Sequence, residues 1–153
     1  MLVKNAMTSK RIIKFLPSDS FGKIVRVLVK GGISGAPVIN KKGNLVGVVS
    51  EKDLFYKLFP SEKVFYEDPE YYMDFNRIEE EAVVVRKLKA KDFMTRRLIT
   101  IGPDEHILKA ISMFLKNKIR RLLVVKNGKL VGVVTTNDVY KHFLKVLSTN
   151  DVK

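Results

Sequence analysis

Apolar positions in this chain follow two periods, and the order in which the periods alternate occurs twice. Short β-branched runs at 12–16 (I-I-K-F-L) and 98–101 (L-I-T-I) stop at Pro17 and just before Pro103, and each predicts a first strand. Beyond the prolines the spacing changes to three and four, in Phe21, Ile24, Val25, Leu28 and Val29 and again in Ile107, Leu108, Ile111 and Leu115. That spacing lines one face of a helix. Asp19 or Ser20, and the pair Pro103-Asp104, supply its N-terminal signals. Two more apolar runs follow in each half, joined by Lys41-Lys42-Gly43-Asn44 and by Lys126-Asn127-Gly128-Lys129. These read as hairpins, and Asn-Gly suits a turn whose two central residues need positive φ. A last helix is expected from Ser50-Glu51 to Phe59 and from Thr135-Thr136 to Leu147.

Each half therefore reads as β-α-β-β-α, and the halves match residue by residue. A-M-T at 6–8 corresponds to F-M-T at 93–95, I-S-G-A-P-V-I at 33–39 to I-R-R-L-L-V-V at 119–125, and L-V-G-V-V-S-E-K-D-L at 45–54 to L-V-G-V-V-T-T-N-D-V at 130–139. Such a unit is too small to cover both faces of its own sheet. The expected architecture is thus mixed α/β (α+β), with two repeats packed about an approximate two-fold axis. The expected divisions are 1–58 for the first repeat, 59–87 for an insertion and 88–153 for the second repeat.

Charge follows the same division. Of 29 basic and 16 acidic residues, 1–58 hold 11 and 3, 86–153 hold 16 and 5, and 59–85 hold 2 and 8. Two basic lobes flank an acidic bridge that is also rich in aromatics: Phe65, Tyr66, Tyr71, Tyr72 and Phe75. A short helix around 69–75 and a longer one from Asn76, packed on the lobes, are expected there. With no cysteine and only His106 and His142, thiolate metal sites, cysteine nucleophiles and a histidine zinc site are excluded, and no metal is expected. Uncharged runs fall well short of the roughly 20 residues of a spanning helix, and Met1-Leu2-Val3-Lys4 does not open a signal peptide. A cytoplasmic protein without membrane contact is expected.

Glycine, two apolar residues, Ser/Thr, two variable residues and Asp, present as G-V-V-S-E-K-D and G-V-V-T-T-N-D in register with the repeated M-T openings, resemble the tandem CBS-domain pair, or Bateman module. The likeness spans about 3–57 and 88–147. It implies a stand-alone regulatory module without catalytic activity or catalytic cofactor. Its ligand would be an adenosine-containing effector, AMP, ADP or ATP, or else S-adenosylmethionine. It also implies a homodimer that signals to an unidentified protein partner or through the dimer itself.

The resemblance further implies two ligand clefts, each drawing on both repeats. One combines Ser50 and Asp53 with Thr100, Ile101, Arg120 and Arg121, and the other combines Thr135 and Asp138 with Ile13, Lys14, Ser34, Gly35, Ala36 and Pro37. A carboxylate accepts both hydroxyls of a ribose diol, and a guanidinium fork suits phosphate. Arg120 and Arg121 therefore direct the first cleft to a phosphate-bearing nucleotide, whereas Ser34 and Gly35 leave the second with Lys14 as its nearby cation. The residues alone admit a plainer reading, in which Ser50 and Thr135 are helix N-caps, each Asp sits favourably in a first turn, and Arg120-Arg121 is a solvated basic pair. The sequence isoelectric point of about 9.9 also admits a nucleic-acid binder built on the same fold. An enzyme ranks last, because no P-loop, HExxH or GxGxxG pattern is present.

Overall fold

The computed structural model describes residues 1–59 and 62–148, the side chains of Glu62, Val64, Phe65, Tyr71, Tyr72 and Val146 excepted. The chain forms two compact bodies. One, called here the Asp53 unit, is Ile13–Arg97; the other, the Asp138 unit, joins Met1–Ile12 to the chain from Leu98 onward.

In the Asp53 unit, Ser20 caps α1 (Phe21–Gly31) by accepting the Lys23 amide, and Gly32 ends it with a left-handed φ of 59°. Strands β1 (Gly35–Ile39) and β2 (Leu45–Ser50) pair antiparallel, with Gly35 opposite Ser50 and Val38 opposite Gly47. The turn between them is held by Asn40, whose Oδ1 accepts the amides of Lys42 and Asn44 at 3.0 and 2.9 Å. The strand expected at 12–16 reduces to one bridge, Phe15 with Val38. Past the bridge the Asp19 carboxylate takes the Leu16 amide at 2.8 Å, and the turn so formed leads into α1.

After α2 (Glu51–Leu58), the insertion forms α3 (Glu62–Glu67), a 3-10 turn (Pro69–Met73) and α4 (Phe75–Val85). Sequence spacing anticipated the last two and not α3. Asp74 caps α4 through the amides of Asn76 and Arg77, and α4 packs beside α2 through the side that carries Ile78, Ala82 and buried Val85. Tyr66, Met73, Phe75, Val83 and Val84 are exposed. Val83 and Val84 turn away from the buried side, and Phe75 lies on the first turn. Phe65, Tyr71 and Tyr72 lie outside the described side chains. The unit continues into α5 (Ala90–Phe93), where the Phe93 ring meets Phe21 edge-on at 5.5 Å.

The Asp138 unit carries β3 (Thr100–Ile101) parallel to β4 (Arg121–Lys126), which pairs antiparallel with β5 (Lys129–Thr135). Asn127 and Gly128 have φ of 51° and 74°, the two left-handed conformations expected of the hairpin. Helix α6 (Ile107–Asn117) is capped by His106, whose Nδ1 accepts the Leu108 amide; Pro103-Asp104 lies too early to do so. Lys118 ends α6 at φ 52°, the conformation glycine supplies after α1. Helix α7 (Thr136–Ser148) completes the unit.

The first dozen residues thus belong to the body of the second repeat, and 93–95 to that of the first. Val3 is fully buried beside Ile107, Phe114 and Leu122, whereas Phe93 and Met94 join the core around Phe15 and Val49. Thr8 exchanges backbone hydrogen bonds with Val133 at 2.8 and 3.0 Å, as Thr95 does with Val48 at 2.9 and 3.0 Å. Each methionine before these threonines crosses a glycine. A Cβ on Gly132 would stand 2.5 Å from Met7 Sδ, and one on Gly47 2.6 Å from Met94 Sδ. The repeated glycine of G-V-V-S/T is therefore the place where the exchanged opening meets the sheet.

Candidate functional site

The end of β2 and the start of α2 hold Ser50 in an extended conformation, so its side chain faces the first turn of the helix. Asp53 Oδ2 accepts from the Ser50 amide and from Ser50 Oγ, both at 2.8 Å, while the Asp53 amide donates to Oγ at 3.4 Å. The β5–α7 junction repeats the arrangement, with Thr135 donating to Asp138 Oδ2 from its amide at 2.8 Å and its hydroxyl at 2.7 Å. The Asp138 amide donates to Thr135 Oγ1 at 3.2 Å. Both carboxylates are half-buried.

These are reciprocal capping boxes, so the helix-capping reading holds for both pairs. Capping does not consume the carboxylate. A carboxylate oxygen has two lone pairs, and the cap occupies both on Oδ2, so Oδ1 remains the oxygen from which a ligand could be recognised. The same geometry fixes the direction of Oδ1.

The strand register decides what stands beside each carboxylate. Gly35 lies opposite Ser50 and Ser34 accepts the Glu51 amide at 2.9 Å; Arg121 lies opposite Thr135 and Arg120 accepts the Thr136 amide at 3.0 Å. Ser34-Gly35 and Arg120-Arg121 are thus structurally equivalent, and each pair adjoins the Ser/Thr-x-x-Asp of its own unit. Arg120 is exposed and Arg121 half-buried. Thr100, exposed, and Ile101, buried, run beside β4 in that unit. In the Asp53 unit, Lys14 is exposed, Ile13 half-buried, and Ala36 and Pro37 are buried in β1. The groupings expected from the sequence were crosswise, with the arginines assigned to Asp53. Within its own unit, Arg121 stands opposite Thr135 and the Arg120 carbonyl oxygen accepts the Thr136 amide.

One site neighbour was missed. Thr95 Oγ1 donates to Asp53 Oδ1 at 3.1 Å, while its counterpart Thr8 pairs with Val133 through the backbone alone. The repeated M-T was the available signal, but it carries no indication that the second threonine reaches a carboxylate. Among the described residues no group of three or more His, Asp or Glu side chains could hold a metal ion, and no helix is long and apolar enough to cross a membrane.

Comparison with known proteins supplies the remaining observations. The model of the CBS domain matches residues 3–59 and 90–145. The protein MJ1426 of Methanocaldococcus jannaschii is 35% identical over 150 residues, covering 90% of this chain and 88% of that protein. CBSX2 of Arabidopsis thaliana, solved in complex with AMP, is 27% identical with a TM-score of 0.74 and covers 95% of this chain and 98% of that one. The CBS domain pair of protein MJ0100, in complex with 5'-methylthioadenosine and S-adenosyl-L-methionine, shares the fold at a TM-score of 0.70 and 23% identity, covering 95% and 98%.

Proposed function

The chain belongs to the CBS-domain family, with two copies of the domain in tandem, and from that premise we propose that it is a non-catalytic sensor of an adenine nucleotide, read mainly by the Asp138 unit. The single observation that carries this reading is the junction of β5 and α7. There Asp138 keeps Oδ1 available for a ribose diol while Arg121 sits across the strand pair from Thr135 and Arg120 adjoins the first amide of α7. Guanidinium groups bind phosphate through paired charge-assisted hydrogen bonds. AMP, ADP and ATP all present this combination of diol and phosphate. S-adenosylmethionine presents the diol without phosphate and suits the Asp53 unit, where Ser34 and Gly35 replace the arginines. The AMP complex of CBSX2 supports the ligand class.

Output through a second copy of the chain fits the apolar stripe of α7, where Tyr140, Phe143, Leu144 and Leu147 recur at three-and-four spacing and are 61%, 41%, 47% and 76% exposed. The ligand reading is tested by comparing AMP with adenosine in equilibrium titrations of the wild type, Arg120→Ala and Arg121→Ala. The wild type should prefer AMP, and loss of either guanidinium should narrow that preference about tenfold or more. Equal affinities of the wild type for AMP and adenosine would contradict the assignment of the arginines to phosphate.

A further inference from the structure

The two carboxylates are held alike at Oδ2 and differently at Oδ1. Asp138 Oδ1 accepts no hydrogen bond from a described residue, whereas Asp53 Oδ1 accepts the Thr95 hydroxyl at 3.1 Å. A cis-diol donates two hydrogen bonds, and with Oδ2 committed to the cap it needs both lone pairs of Oδ1. At Asp138 no described residue takes either. At Asp53 one is taken by the protein itself.

We infer that Thr95 is a built-in competitor for the ligand-accepting oxygen of Asp53, so that nucleotide fills the Asp138 site first and the Asp53 site only by displacing the Thr95 hydroxyl. The inference rests on the reading of the two carboxylates as diol acceptors. The difference does not arise from the backbone, because Thr8 and Thr95 make the same paired bonds to Val133 and Val48. It arises from one side chain. Thr95 also has the exposure a displaceable group needs, so the hydroxyl can turn to water while its backbone stays paired. Binding at Asp53 replaces an existing hydrogen bond with one of similar strength, and the ligand gains correspondingly less there.

The test is calorimetric titration of AMP into protein stripped of carried-over ligand, in an Asp138→Ala background that leaves the Asp53 site alone. Adding Thr95→Val should tighten AMP binding about 3- to 10-fold, the value of one released hydrogen bond, or restore binding that Asp138→Ala has made too weak to detect. Thr95→Ala should act in the same direction, which separates the effect from any misfit of valine. Thr95→Ser keeps the hydroxyl and should not tighten. In an Asp53→Ala background, Thr8→Val should leave AMP affinity unchanged, because no described carboxylate accepts from the Thr8 hydroxyl. If the wild type binds AMP but Thr95→Val and Thr95→Ala leave the Asp53 site unchanged or weaker, the competitor role is overturned and the sensor reading stands. If the wild type binds no AMP at any concentration, both are overturned.

Discussion

Replacing Gly132 with alanine tests the crossing of Met7 over the sheet of the Asp138 unit. The added Cβ would lie 2.5 Å from Met7 Sδ, 3.1 Å from Met7 Cγ and 3.2 Å from the Thr8 carbonyl oxygen, where carbon contacts of about 3.5–4.0 Å are normal. The methionine must swing aside, and the Thr8 carbonyl, fixed by its bond from the Val133 amide, must give by a few tenths of an ångström. Crowding of this kind costs about 1–3 kcal/mol. Without it the sign would reverse, since glycine to alanine at an ordinary backbone conformation stabilises by about 0.4–1 kcal/mol. Met7 is half-buried and has room to move, so Gly132→Ala should cost about 1–2 kcal/mol. Met94 is 8% exposed, so Gly47→Ala should cost more, about 2–3 kcal/mol. Thermal unfolding should show these as losses of roughly 2–4 °C per kcal/mol. In a Met7→Ala background the cost of Gly132→Ala should shrink by more than the roughly 0.5 kcal/mol within which independent sites add. A stabilised Gly132→Ala, or additivity with Met7→Ala, would refute the crossing of Met7 over the glycine.

Two further outcomes follow from the geometry. Lys118 holds the left-handed conformation that Gly32 holds in the other unit, so Lys118→Gly should stabilise and Gly32→Ala should destabilise, each by about 1 kcal/mol in urea unfolding. The Asp104 carboxyl is held below its ordinary value, first by its hydrogen bond to Lys4 at 2.8 Å and the charge of that lysine, and then by the charge of Lys126. Because the folded-state value is depressed, its contribution to stability is present above the ordinary aspartate range and is lost as pH falls through the lowered value. Carbon-detected NMR titration should show the Asp104 midpoint rising in Lys4→Ala, and less so at high salt; an unmoved midpoint would remove the ion pair from the account.

The elements legible in the sequence were those fixed by local pattern. Three-and-four spacing found α1 and α6, the capping hydroxyls of Ser50 and Thr135 marked the last helix of each repeat, and Asn127-Gly128 declared its own turn. The repeated Ser/Thr-x-x-Asp marked both carboxylates; the cap takes Oδ2 of each, and the proposed acceptor role falls to Oδ1. What local pattern does not carry is partnership over distance. Nothing in A-M-T says that Met7 crosses Gly132 rather than the glycine of its own repeat, and nothing near Arg120-Arg121 says that Arg121 pairs across the sheet with Thr135. His106 was hidden for another reason, since its ring nitrogen caps α6 in place of the usual short oxygen-bearing side chain. In the insertion, aromatic content suggested packing, yet Phe75 is exposed, because α4 turns the side of Ile78, Ala82 and Val85 inward.

The central claim is that a nucleotide is read at Asp138. Calorimetric titration of AMP into ligand-stripped wild type and into Asp138→Ala, with folding of both verified by circular dichroism, tests it directly. The account predicts that the wild type binds with a tight phase that Asp138→Ala loses, leaving only the weaker occupancy of the Asp53 unit. A folded Asp138→Ala variant that binds AMP as tightly as the wild type, or a wild type that binds none, would contradict it.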